Sequence, residues 1–217
     1  MSWPISHLYI ANRIMDKIGI KKYSQYYLGT IVPNAVEVIE RDSHLNMKID
    51  KNNKDLYFEI WKSNIKDFFY KNKTIHNFDF LIGYCIHLFS DIYFRKNITD
   101  VYIQYYKNNK NEFKDNFSKI FENENVKIDY EIYFSNNYFK EDIFPKINNS
   151  IRFNFKNIVL RNEMNKLIKW YNLRYSNFEF NKKPNANKHI SYDQIMENNK
   201  RTIDFIQEEF LNEIMIE

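Results

Sequence analysis

Cysteine, glycine and proline are all scarce in this chain of 217 residues, and each shortage argues against a class of protein. The single cysteine, Cys85, excludes an internal disulfide framework and is typical of a reducing compartment. Three glycines and four prolines are few for the many tight turns of a β-sandwich, so they favour long helices. We therefore expect an all-α fold.

Long apolar runs and a strong excess of charge are also missing. No run of about 18 uninterrupted apolar residues occurs, so no transmembrane segment is predicted. His7, Asn12 and Arg13 interrupt the first apolar stretch, which is unlike a secretory signal peptide. The net charge is only +4, and basic residues alternate with acidic ones without the patch typical of nucleic-acid binders. These features predict a soluble, cytoplasmic protein with no strong nucleic-acid signal, and they leave its oligomeric state open.

Hydrophobic residues make up 44% of the chain, which is enough for a sizeable core. Their spacing predicts helices, and no stretch of the sequence is typical of an interdomain linker. We therefore expect a single helical domain over residues 1–217. The predicted helices cover 5–18, 23–28 (ending at Gly29), 54–71, 77–94, 99–122, 129–140, 150–174 and 191–214, with Pro33 at the start of a further helix and Ser191 as a cap.

The segment 77–94 is apolar on nearly every face, which is typical of a buried helix. Its strongly polar members, His87 and Asp91, are four residues apart and so are neighbours on one face. A buried carboxylate is costly unless it has a cation, a hydrogen-bond network or a raised pKa. The pair alone is equally compatible with a metal site and with a His–Asp contact that only stiffens the core.

The other histidines favour the metal site. His7 is in register with the apolar stripe of the first helix and is expected to face inward, whereas His44 lies in a polar bend. His76 and His189 are interpreted as structural or solvent-exposed. Imidazole and carboxylate together suit zinc or another borderline divalent metal. Histidines 7, 44 and 87 are therefore the candidates to converge on Asp91.

Four motifs occur in a fixed order along residues 6–91. They are Ser-His-Leu-Tyr-Ile-Ala-Asn-Arg from residue 6, Leu-Gly-Thr-Ile-Val-Pro-Asn-Ala from residue 28, Ser-His-Leu from residue 43, and Gly-Tyr-x-x-His-x-x-x-Asp from residue 83. This series resembles the bacterial zinc-dependent phospholipases C, whose second motif reads Leu-Gly-Ser-Ile-Ala-Pro-Asp-Ala. Beyond residue 91 the chain is similar to that family only in its helices, with 191–210 loosely resembling the last one.

The resemblance implies the all-α fold that phospholipases C share with P1-type nucleases, with a cluster of up to three zinc ions. Carried over by position, Asn34, His44, His87 and Asp91 would surround one metal. His7 would bind a second metal, with Asp91 bridging the two.

The sequence departs from the family pattern at several points. Asn34 stands where the family has aspartate, which removes a negative charge and a possible base. Asp42 and Glu37 are nearby carboxylates that could compensate. In the secreted enzymes of the family, an N-terminal tryptophan also binds metal through its free amine. Trp3 follows Met1 and Ser2, so it is not expected to be a ligand. Only His189 remains for a third zinc site, so we expect one or two ions, zinc or another divalent metal.

The function that the resemblance implies is metal-assisted hydrolysis of a phosphate ester or phosphodiester. Asp91 would bridge the metals, and Asp42 is the candidate to accept a proton from water. The expected substrate is a small phosphate ester or a phospholipid-like molecule. Two alternatives remain open: a catalytically weakened or non-catalytic metal-binding protein with a structural or partner-binding role, which Asn34 favours, and a metal-dependent enzyme acting on another kind of substrate.

Overall fold

The computed structural model describes residues 4–36, 41–50, 52–74, 77–109, 117–156, 158–176 and 189–214. Across these residues the regular elements are all helices, and the one β-type pairing is an isolated bridge between Phe155 and Val159. The predicted all-α fold class is therefore confirmed. None of the described helices is both long enough and apolar enough to cross a membrane.

The α-helices are numbered in chain order. They are α1 Pro4–Met15, α2 Tyr23–Ile31, α3 Lys54–Asn72, α4 Phe78–Phe94, α5 Asp100–Asn108, α6 Phe117–Phe134, α7 Phe144–Asn148, α8 Arg161–Ser176, α9 Tyr192–Ile206 and α10 Asn212–Ile214. A 3-10 turn at Val32–Ala35 follows α2, and π-helical turns occupy Arg95–Thr99, Phe139–Ile143 and Gln207–Leu211.

Helix α4 is the central element of the fold. Every residue from Phe80 to Ile92 is buried, as its continuous apolar sequence predicts. Helices α1, α2, α3 and α9 pack around it. His87 and Asp91 consequently lie in the interior of the protein.

Two glycines allow α2 and α4 to approach closely. A Cβ atom on Gly29 would lie 2.0 Å from the Phe80 carbonyl oxygen, and one on Gly83 would lie 2.1 Å from the Tyr26 carbonyl oxygen. The prediction that the second helix ends at Gly29 is wrong, because the helix continues to Ile31. Gly29 serves as a contact point between helices rather than as a terminator.

The prediction of one long helix over 150–174 is wrong in its first part, because α8 begins only at Arg161. The preceding segment is irregular and includes Lys156 at φ 51°. Phe153 and Phe155 pack their rings against Phe80, each at 4.9 Å between ring centroids. The apolar residues that suggested a helix therefore fill the core from an irregular chain.

The division of residues 99–140 into helices is also corrected. Helix α5 ends at Asn108, and α6 runs from Phe117 through to Phe134, across the boundary placed between two predicted helices. By contrast, the predicted start of the last long helix is confirmed. The side chain of Ser191 accepts a hydrogen bond from the Gln194 amide, and the Gln194 side chain accepts one from the Ser191 amide.

Candidate metal centre

Three separate parts of the chain bring four candidate ligands together. His7 comes from α1, His44 from the irregular segment 41–50, and His87 and Asp91 from successive turns of α4. Of these, His7, His87 and Asp91 form a buried group that can hold a metal ion, since one ligand atom from each lies within 4.8 Å of the others.

The distances from the Asp91 carboxylate to the three histidines resemble those between ligands of a common metal. The Nε2 atom of His7 lies 3.4 Å from Asp91 Oδ1, while Nε2 of His44 and of His87 each lie 3.5 Å from Asp91 Oδ2. Hydrogen bonds from nitrogen to oxygen usually span about 2.7–3.2 Å. In a tetrahedral zinc site with bonds of about 2.0–2.1 Å, the ligand atoms lie roughly 3.3–3.4 Å apart. The spacing therefore fits a shared cation better than direct hydrogen bonds.

The hydrogen bonding of His87 fixes which of its nitrogens carries the proton. Its Nδ1 lies 2.7 Å from the Thr30 carbonyl oxygen. Because a carbonyl oxygen can only accept, Nδ1 is the protonated nitrogen of the neutral ring. The Nε2 atom that faces Asp91 is then left with a lone pair, as a metal ligand requires.

His44 has the same tautomer for a related reason. The Ser43 hydroxyl donates its only proton to the Pro33 carbonyl oxygen at 3.0 Å. It therefore accepts from His44 Nδ1, which also lies 3.0 Å away. The Nε2 atom of His44 therefore also carries a lone pair, which is directed toward Asp91 Oδ2.

Neither of these two Nε2 atoms is satisfied by a hydrogen bond from the residues that the structure describes, although both are buried. Two nitrogen lone pairs and a carboxylate oxygen thus face each other across the same small space. Such a set of acceptors is unfavourable by itself and becomes favourable around a cation. The donor set therefore fits a divalent metal.

His7 completes the group from the other side of the carboxylate. Its ring stacks on that of His87, with centroids 3.7 Å apart and an interplanar angle of 17°. His7 faces Asp91 Oδ1, whereas His44 and His87 face Oδ2. This division of the two carboxylate oxygens is compatible with one ion and with a pair of ions bridged by Asp91.

The electrostatics of the site favour the protonation states that metal binding needs. Burial lowers the pKa of His87 to about 4, and burial likewise lowers the pKa of His44 to about 4. At neutral pH His44 and His87 are therefore neutral, as metal ligands must be.

The segment that carries His44 is fixed by its neighbours. The Trp61 indole donates to the His44 carbonyl oxygen at 2.6 Å, and the Tyr84 hydroxyl donates to the Ser43 carbonyl oxygen. Leu45 adopts a φ of 57°, in the left-handed region that is unusual for a branched residue. These contacts hold the imidazole of His44 toward α4.

Asp42 also belongs to this segment. Its two carboxylate oxygens accept hydrogen bonds from the backbone amides of Asn46 and Met47, each at 3.0 Å. The residue lines the same cavity as Asp91, but its carboxylate is engaged in closing a turn.

His7 is positioned by a residue that the sequence analysis missed. Asp129 of α6 accepts hydrogen bonds from the backbone amides of Ile5 and Ser6 in the first turn of α1, at 2.9 and 3.2 Å, and from the Tyr175 hydroxyl. Burial raises the pKa of Asp129 to about 7 despite these donors. No sequence signal identifies this contact, because it joins residues more than a hundred positions apart.

A cavity of about 470 Å³ leads to the site and is lined by His44, Asp91, Asn34, Trp61 and Arg95, among others. His44 is the ligand nearest to solvent, with 16% of its side chain exposed, whereas His7 and His87 are fully buried. Asn34 also interacts with the hydroxyl of Tyr171. The candidate site is therefore accessible from the His44 side.

The remaining residues considered in the sequence analysis are not part of this cluster. His189 contacts Tyr102 and Tyr105 and lines a different cavity. Trp3, Glu37 and His76 lie outside the described residues.

Comparisons of the chain with protein-family models, with curated proteins and with solved structures found no match in any of the three.

Proposed function

We propose that this protein is a metal-dependent hydrolase of phosphate esters or phosphodiesters, related to the zinc-dependent phospholipases C. The observation that carries the proposal is the pair of buried Nε2 lone pairs, on His44 and His87, that face Asp91 Oδ2. The order of the four motifs along residues 6–91 supports the relationship to that family.

The metal would be zinc, as one or two ions held by His7, His44, His87 and Asp91. Three imidazoles and a carboxylate are typical zinc ligands, and zinc accepts such a set with an open position for water or substrate. When bound, such an ion polarises a phosphoryl oxygen and lowers the pKa of water.

The chain's own residues define the rest of the reaction. The burial of His7, His87 and Asp91 excludes bulk water from the inner side of the site, and the cavity beside His44 admits the substrate. Asn34 supplies a neutral amide at the cavity wall, where it orients groups without accepting a proton. Asp42 is the nearby carboxylate that would accept the proton of the attacking water, once released from its turn.

The size and lining of the cavity favour a small polar ester. A volume of about 470 Å³ accommodates a phosphate group with a short alcohol, or the head group of a phospholipid whose tails remain outside. Arginine, asparagine and threonine side chains line it together with Trp61 and Met47.

Hydrolysis of bis(para-nitrophenyl) phosphate by the zinc-loaded protein tests the proposal. We expect turnover in the wild-type protein and its loss in Asp91→Asn. Asp67→Asn is the matched control, since Asp67 is an exposed aspartate paired with Lys71 and should leave turnover unchanged. Equal rates in Asp91→Asn and the wild type, or no turnover with any phosphate ester, would overturn the proposal.

A second candidate is a metal-binding protein without catalytic activity. It is favoured by Asn34, which lacks a carboxylate, and by Asp42, whose oxygens both accept backbone hydrogen bonds. The two candidates differ in one measurable respect. The non-catalytic protein binds zinc with the same ligands but turns over no ester, whereas the hydrolase does both.

A further inference from the structure

Arg95 continues the row of functional residues on α4. It lies four residues after Asp91 and eight after His87, so the three occupy one side of the helix. Helix α4 passes at Arg95 into the π-helical turn Arg95–Thr99. π-helical turns of this kind are frequent at functional sites. Arg95 and Asp91 line the same cavity.

The guanidinium of Arg95 has no anionic partner in the described part of the chain. Its side chain makes no ion pair or hydrogen bond there and instead lies over the ring of Tyr57, at 5.4 Å from the centroid. Arg41, the other arginine of this cavity, is engaged in an ion pair with Glu163. Arg95 therefore presents its charge and its donors to the cavity while Tyr57 holds it in position.

Thr99 supplies a second polar group at the other end of the same turn. Its Oγ1 atom is buried and has no hydrogen-bond partner among the described residues, although Thr99 also lines the cavity. A buried hydroxyl without a partner is unfavourable, so its retention points to a ligand or water in the cavity.

We propose that Arg95, assisted by Thr99, binds the non-bridging oxygens of the substrate's phosphate group. The inference rests on the proposed function, because the scissile phosphate must lie next to the metal ligands. Arginine matches a phosphate with two parallel hydrogen bonds, which fixes orientation as well as charge. The substrate class that follows is an anionic phosphate ester.

The balance of charge around the cavity supports an anionic ligand. Asp91 and Asp42 contribute two negative charges, and a divalent ion alone would offset them. Arg95 then adds a positive charge that the described residues do not neutralise, whereas Arg41 is already balanced by Glu163. An anion next to the metal would neutralise the cavity, but an uncharged ester would leave it positive.

Binding of inorganic phosphate to the zinc-loaded protein, measured by titration calorimetry, tests the role of Arg95. The variants are Arg95→Ala, Arg95→Lys and, as the matched control, Lys96→Ala. Lys96 carries the same charge one position along the chain, but it is exposed and does not line the cavity. Zinc affinity and circular dichroism are measured for each variant, so that loss of metal or of fold is detected separately.

We expect Arg95→Ala to weaken phosphate binding by about 10- to 100-fold, the range of a lost charge-assisted hydrogen bond, with zinc affinity unchanged. Arg95→Lys should recover part of the loss, because it keeps the charge but not the paired donors. The same order should appear in KM for bis(para-nitrophenyl) phosphate and for para-nitrophenyl phosphate. If Arg95→Ala binds zinc and phosphate as Lys96→Ala does, the inference is wrong while the hydrolase proposal stands. A wild-type protein that binds no zinc overturns both.

Discussion

Asp91 lies among three imidazoles. The cluster can be interpreted as a metal site or as a core held together by charged His–Asp contacts, and the two interpretations predict opposite effects of Asp91→Asn on stability. In a metal site, the metal-free protein holds the Asp91 carboxylate against the lone pairs of His44 and His87. Asp91→Asn would place an amide donor there and raise the free energy of unfolding of the metal-free protein by about 1 kcal/mol or more. In a core that is held together by charged His–Asp contacts, the same substitution would lower it. Urea denaturation with a chelator present measures the difference.

Asp129→Asn is the matched control for this experiment, because Asp129 is also a buried aspartate. It accepts from two backbone amides and from the Tyr175 hydroxyl, so a side chain with one acceptor fewer should destabilise the protein. A loss of stability in both variants would mean that Asp91 is a structural residue and not a metal ligand.

Asn34 leads to a second residue-scale prediction. It lines the cavity beside Asp91 and His44, at the position where the zinc-dependent phospholipases C that the sequence resembles have an aspartate. Asn34→Asp adds a negative charge next to the cation and should tighten zinc binding by about tenfold or more, the size of effect that neighbouring polar groups commonly have on metal sites. Competition with a coloured zinc chelator measures the affinity. Unchanged or weaker binding would show that residue 34 does not interact with the metal.

Among the residues of the site, the sequence predicted those whose spacing follows the period of a helix. The spacing of His87 and Asp91 on an apolar helix indicated a shared buried face, and His7 was in register with its own helix. His44 had no such pattern, since it lies in a polar bend, and the motif order was the stronger reason to include it. Arg95 had a signal that was overlooked, namely its position four residues after Asp91. Asp129 had none, because its contact with α1 is made only by tertiary packing.

At the scale of elements, the close packing of helices α2 and α4 can be tested by substituting a glycine at their contact. Gly83→Ala would place a methyl group 2.1 Å from the Tyr26 carbonyl oxygen, and backbone atoms cannot move aside as a flexible side chain can. We expect a loss of about 3 kcal/mol in the free energy of unfolding. Zinc affinity should fall as well, because the displaced α2 carries the Thr30 carbonyl oxygen that orients His87.

The same contact can be tested from the opposite helix. Gly29→Ala places its methyl group against the Phe80 carbonyl oxygen and should have a similar effect. If both variants were as stable as the wild type, α2 and α4 would not pack at the distance that orients His87.

Helix type was easier to predict than helix boundaries. The continuous apolar sequence of α4 and the capping residues at Ser191 gave positions close to those observed. The segment before α8 was misassigned because Phe153 and Phe155 have an apolar spacing that also suits a helix. Their rings pack on Phe80 of a distant helix, and a local pattern does not contain that information.

At the scale of the whole molecule, the candidate metal site joins parts of the chain that are far apart in sequence. Its ligands come from α1, from the segment 41–50 and from the central helix α4. Because an unfolded chain does not hold these residues together, the free energy of metal binding would add to the free energy of folding. We therefore expect the stability of the protein to rise with its metal content.

Metal analysis of the purified protein tests this account most directly. After dialysis against trace zinc, inductively coupled plasma mass spectrometry should find one or two zinc ions per chain in the wild type. His87→Ala, folded by circular dichroism, should retain none above background, while His189→Ala should retain the full content, since His189 lies outside the cluster. Zinc at background level in the folded wild type, or equal zinc in His87→Ala and the wild type, would contradict the account.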